Sequence, residues 1–145
     1  MKILGYVLGI GLLGIMVWLF TLPKLQEKEI LSSAGLHWHA DLNIKIKGQN
    51  VEIPADLGIG ATHNPMHTHD NTGKIHLEFG GVVRKSDLEL GNFFKIWGKE
   101  FNELCILDKC NGPDGKLTML VNGATSTEYA KHSMQDGEKI ELIFE

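Results

Sequence analysis

Residues 37–54 read HWHADLNIKIKGQNVEIP, and this stretch carries the first decision about the fold. Leu42, Ile44 and Ile46 alternate with Asn43, Lys45 and Lys47. Side chains on an extended strand point to opposite faces in turn, so this alternation predicts a half-buried β-strand. Lys47-Gly48-Gln49-Asn50 supplies a turn, and Val51 and Ile53 continue on a returning strand that Pro54 closes. His37 and His39 have the parity of Asp41 and Asn43. Both imidazoles are therefore expected on the polar face of the sheet, side by side.

Downstream of this hairpin, residues 55–73 hold Gly58, Gly60, Pro65 and Gly73 and show no periodicity. Irregular connections of this length inside a small domain are usually functional or disordered. This one contains His63, Met66, His67, His69 and Asp70, which favours function. Ile75, Leu77 and Phe79 then alternate as a third strand, with His76 and Glu78 on its polar side. Ser86-Asp87-Leu88-Glu89 resembles a capping box, Leu90, Phe93, Phe94, Trp97 and Phe101 follow at helical spacing, and Gly98 is a stop signal for that helix. An aromatic stripe of this kind is core rather than a cofactor box. After Pro113-Asp114-Gly115, Leu117, Met119 and Val121 predict a strand, Asn122-Gly123 and Asp136-Gly137 predict turns, and Ile140, Leu142 and Phe144 face inward on a last strand.

Two strands, an irregular insertion, a helix and two further strands is the order of a β-grasp domain. The predicted class is α+β: a β-grasp-like mixed sheet with one packed helix and a His-rich insertion, over residues 36–145. The tail VNGATSTEYAKHSMQDGEKIELIF, residues 121–144, resembles the end of the ubiquitin-like sulfur carriers, where a VNG turn and a DG-x-x-I-x-I strand recur. That resemblance speaks to fold alone. The carriers need a terminal Gly-Gly, whereas this sequence reads Phe144-Glu145, so sulfur transfer is not expected. A wider resemblance spans most of the domain. HWHA, IPADLGI, MHTHD-x-x-GKIHLE, LGNFFKIWG and VNG resemble the successive blocks of an uncharacterised family of prokaryotic exported or membrane-anchored proteins. It implies an extracytoplasmic domain and brings no activity with it.

Residues 3–22, ILGYVLGIGLLGIMVWLFTL, carry no charge. A helix of about 20 apolar residues spans a bilayer, and neither an A-x-A cleavage pattern nor a lipidation cysteine follows. The expectation is an uncleaved transmembrane signal-anchor over 1–22, then a polar tether over 23–35. Lys2, Lys24 and Lys28 flank the run on both sides and leave its orientation open. The two cysteines, Cys105 and Cys110, suit a small local disulfide, which persists outside the cytosol. The chain has 145 residues and a net charge of −4, with no basic patch, so nucleic acid is not an expected partner.

Six of the seven histidines fall between positions 37 and 76, and four of them form two H-x-H pairs. Each pair on an extended strand aims two imidazoles at one point, and neutral imidazole is the commonest ligand of copper, zinc and nickel. The expected ligands are His67 and His69, then His39, His37 and His76. Asp70 or Glu78 would ligate or orient an imidazole, Met66 would add a soft thioether, and His63 stands near the loop start. Asp70 in HDNTG also reads as ordinary turn chemistry. His132, alone in AKHSMQDG, reads as a surface or hydrogen-bonded residue. The leading expectation is a membrane-anchored extracytoplasmic protein that binds copper or zinc, for metal handling or electron transfer, with another membrane protein as a candidate partner. No G-x-S-x-G, H-E-x-x-H or P-loop occurs, which favours binding over catalysis. The alternatives are a mononuclear enzyme with three histidines and a bound water, as in a carbonic anhydrase, and a module that senses pH through its imidazoles.

Overall fold

The computed structural model describes residues 29–145. The expected anchor over 1–22 and the first part of the tether lie outside the described residues. None of the described helices is long and apolar enough to cross a membrane.

Among the described residues the architecture is α+β, a mixed sheet with one α-helix. Its strands are β2 (Leu36–Ile46), β3 (Gln49–Val51), β4 (Met66–His67), β5 (Lys74–Phe79), β9 (Leu117–Val121), β10 (Ala124–Ser126) and β11 (Glu138–Phe144). Across the sheet the order is β10-β9-β11-β2-β5-β4, with β3 also beside β2. The long strand β2 is the organiser. On one edge its first half pairs antiparallel with β5 and its second half with β3, while its other edge runs parallel to β11. The remaining strands form two small ribbons: β1 (Ile30–Ser32) with β6 (Val83–Arg84), and β7 (Cys105–Ile106) with β8 (Lys109–Cys110).

The period-two pattern works as expected. Ala40, Leu42, Ile44, Ile75, Leu77, Ile140, Leu142 and Phe144 are all buried and face one core. The helix α1 (Leu90–Trp97) closes that core with Leu90, Phe93 and Phe94. Full burial of a side chain of this size is worth about 1.5–3 kcal/mol, so the core-facing side of the sheet is fixed by many such terms. The polar side of β2 and β5 is left to carry His37, His39, His76 and Glu78.

Four local features differ from the sequence reading. The hairpin turn is tighter, only Lys47-Gly48, because both residues adopt positive φ (52° and 77°) and Ile46 already pairs with Gln49. The helix is short. Its start is what differs: residues Lys85–Leu88 form a 3₁₀ turn, in which the Arg84 N–H donates to the Asp87 carboxylate at 2.8 Å, while the end falls at the left-handed Gly98, the stop signal read from the sequence. Phe101 lies beyond the helix, yet its ring stacks on Phe94 with centroids 4.4 Å apart, so it still belongs to the core. Finally, the described part of the tether is not free: Ile30–Ser32 pair with Val83–Arg84, and Lys85 N–H donates to the Glu29 carbonyl. Edge hydrogen bonding of this kind leaves no periodicity in three residues. Cys105 and Cys110 are joined in a disulfide across the β7–β8 ribbon.

Candidate metal centre

Three neighbouring strands build the site. In the register, His37 lies opposite Glu78, His39 opposite His76, and His67 opposite His76. Directly opposed residues of an antiparallel pair have Cβ atoms about 4.5–5.5 Å apart on one face. The strand order β2-β5-β4 therefore places His37, His39, His76, Glu78 and His67 in one patch on the face away from the core. His69 joins them two residues beyond His67.

The loop that delivers His67 is stitched together by small polar residues. Thr68, fully buried, donates its hydroxyl to the Pro54 carbonyl at 2.8 Å and accepts the Leu57 N–H at 3.1 Å. Asn64 accepts the Met66 N–H on its side-chain oxygen at 3.1 Å. Its backbone carbonyl lies 3.0 Å from His67 Nδ1. A carbonyl only accepts, so Nδ1 carries a proton, and in the neutral ring the lone pair is then on Nε2. This is how metal-binding histidines are usually held.

That lone pair points at other donors. His67 Nε2 lies 3.3 Å from His69 Nε2, 3.9 Å from a Glu78 oxygen, and its ring stacks on His76 with centroids 5.4 Å apart. The same Glu78 oxygen is 3.8 Å from His76 Nδ1 and 3.3 Å from His37 Nε2. Two nitrogens bound at about 2.05 Å on tetrahedral directions stand about 3.3 Å apart, so the His67–His69 pair already has the spacing a zinc-like ion requires. One ligand atom from each of His67, His69, His76 and Glu78 lies within 4.8 Å of every other, and the same holds for His37, His39 and His76. Without an ion, a His69 N–H donating to His67 Nε2 would also satisfy the short pair. That hydrogen bond does not explain why four more donors converge around it.

Electrostatics agree with neutral, ligand-ready imidazole at the centre. Burial first, then the nearby imidazoles of His39, His69 and His67, holds the His76 pKa below the ordinary 6.5, and Glu78 opposes this only in part. Concavities of about 400 Å³ lie elsewhere, between Asn50, Glu52 and Asn71 and around His132.

Not every expected residue joins the patch. Met66 is 1% exposed and packs in the apolar core, on the opposite face of β4 from His67, so its thioether is directed away from the site. His63 is exposed, with its ring centroid 6.1 Å from that of His67, and stays outside both ligand groups. Asp70 is engaged in a turn: its Oδ1 accepts from the Thr72 N–H at 2.9 Å and the Thr72 hydroxyl at 2.5 Å. Those two bonds hold its carboxyl below the usual range, with a smaller contribution from His76 and His69. His132 is hydrogen-bonded as expected but not on the surface. It is 6% exposed, with Nδ1 2.7 Å from Glu128 and Nε2 2.8 Å from the buried Glu138. The Asn64 carbonyl escaped the sequence reading altogether, since a backbone group leaves no residue-type signal beyond the Asn64-Pro65 turn cue. No protein family matches this chain, and no curated protein or solved structure does so either.

Proposed function

We propose that this chain is a metal-binding protein that takes up copper or zinc on the histidine face of its sheet, through His67, His69, His76 and Glu78. The observation that carries this reading is the His67–His69 pair, 3.3 Å apart, with the first ring locked by the Asn64 carbonyl so that its lone pair is presented. Mixed nitrogen and carboxylate donors suit borderline ions such as zinc and copper(II) rather than magnesium or calcium. The Cys105–Cys110 disulfide supports a domain outside the cytoplasm. The uncharged run over 3–22 supports a membrane anchor that keeps it there, and the block resemblance to exported prokaryotic proteins agrees. The role is then metal handling or electron transfer at the membrane. A β-grasp-like reading of the domain is supported by the central parallel pair β2–β11, flanked by β3 on one side and β9 then β10 on the other.

A second reading is a mononuclear enzyme resembling a carbonic anhydrase. It is favoured by one observation: His69 and Glu78 are exposed, so an ion held by His67, His69 and His76 would face solvent beside a carboxylate. With Glu78 off the ion, a bound water would occupy the fourth position and Glu78 would take its proton. The test is to load the full chain with zinc or copper(II) against a competing chelator and measure affinity. We expect tight binding in the parent and its loss in the His67→Ala/His69→Ala double variant. Because His67 is buried, His69→Ala alone is the fold-preserving control and should weaken binding at least tenfold. Retention of parental affinity in both variants would remove these residues from the site. Cobalt(II) spectra then separate four protein ligands from three plus water.

A further inference from the structure

We propose that the histidine face binds two metal ions, one in each of two ligand groups that share His76; this rests on the metal-binding reading above and goes beyond it. The first observation is a surplus of donors. A tetrahedral site uses four ligands, whereas five imidazoles and one carboxylate converge here. They do not form one shell. They fall into His67, His69, His76 and Glu78 on one side, and His37, His39 and His76 on the other, each group within 4.8 Å internally.

The second observation is the place of His76. Its ring lies edge-on to His39, with centroids 4.6 Å apart and planes at 83°, and edge-on to His69, at 4.5 Å and 78°. His39 comes from β2 and His69 from beyond β4, on opposite sides of β5, so the His76 ring stands between the two groups. An imidazole has two nitrogens on different edges of the ring, and either can ligate. The first ion takes the lone pair of one nitrogen. The second takes the other nitrogen, whose proton passes to solvent, and the resulting imidazolate bridges the two.

Glu78 is placed to serve the same arrangement. One of its oxygens lies 3.3 Å from His37 Nε2 in one group, and 3.9 Å from His67 Nε2 in the other. Its charge and that of the bridging imidazolate offset part of the charge of two divalent ions. The next carboxylate along this face, Asp41 on β2, is paired instead with Lys74 at 2.8 Å. The second group is also open: the His37 side chain is 63% exposed, so an ion can enter and leave it more readily than the group built on buried His67. A tightly held inner ion and an exchangeable outer one is the chemistry expected.

The experiment is equilibrium dialysis of the full chain against zinc or copper(II), with a chelator that strips single-histidine sites, followed by elemental analysis. The expected result is two ions per parent chain and one in His37→Gln/His39→Gln, whose side chains point away from the core. Copper(II) paramagnetic resonance on the parent supplies a readout that needs no variant. Two bridged ions couple, so the detected spin falls well below the copper present, and it recovers to one spin per ion in the double variant. One ion per parent chain, with full spin, overturns this proposal and leaves the metal-binding function standing. No bound ion overturns both. Two ions in the parent that stay two in the His37/His39 variant remove the outer group from the assignment.

Discussion

His67 and His132 are both buried, yet they are satisfied in opposite ways. His67 spends one nitrogen on the Asn64 carbonyl and leaves the other for the patch. His132 has both nitrogens engaged by carboxylates, from Glu128 and Glu138, and lies outside the histidine patch. Its role is to partner Glu138, which is 6% exposed and also accepts the Gln135 N–H at 3.1 Å. Leaving a buried polar group without its hydrogen-bond partner costs about 1–3 kcal/mol. His132→Ala should therefore lower stability in urea by that order while metal uptake is unchanged. A loss under about 0.5 kcal/mol, the size of an ordinary surface change, would show that Glu138 finds water or another partner. From sequence His132 is a lone histidine. Glu128, four residues before it, is a visible neighbour, but Glu138 is reached only because the chain reverses at Asp136-Gly137 and enters β11.

At the scale of elements, the β2–β5 pairing sets the patch, since it places His39 against His76 and His37 against Glu78. Gly73 guards the entry to that pairing. It adopts φ +85°, its carbonyl accepts the Leu42 N–H at 2.9 Å, and a Cβ there would run into the Leu42 carbonyl oxygen. A non-glycine residue in such a conformation costs about 1–3 kcal/mol before any collision is counted. Gly73→Ala should be destabilised by at least that much and should weaken metal binding as well, because moving β5 away from β2 separates the ligands. An alanine variant with parental stability and affinity would show that the turn relaxes without disturbing the register. The strands themselves were legible: alternation at 42–46, 75–79, 117–121 and 140–144 marked their inward faces. The short pieces were not. β1, β4 and β6 have two or three residues each, too few for periodicity, and they exist because neighbouring edges supply hydrogen bonds.

For the molecule as a whole, the histidine face makes stability depend on pH. In the metal-free chain the His76 pKa is held below 6.5, chiefly by burial, so between the two values the unfolded state binds more protons than the folded one. The contribution of His76 is present above its unfolded pKa and is lost as pH falls through that range toward the lower folded value. Chemical denaturation of the metal-free chain should show falling stability from pH 7.5 to 5.5, with a smaller slope in His76→Asn. An equal slope in that variant would assign the pH dependence to other groups. The residues alone tell which faces of the strands are apolar, that two H-x-H pairs exist, and that Cys105 and Cys110 are close enough to join. These follow from side-chain period and local spacing. That both pairs border His76 depends on the fold, because the order β2-β5-β4 joins residues thirty positions apart through backbone hydrogen bonds that carry no residue code. The fold likewise decides that Met66 turns inward and that His76 stands at the centre, since the face a two-residue strand presents is set by its neighbour's register.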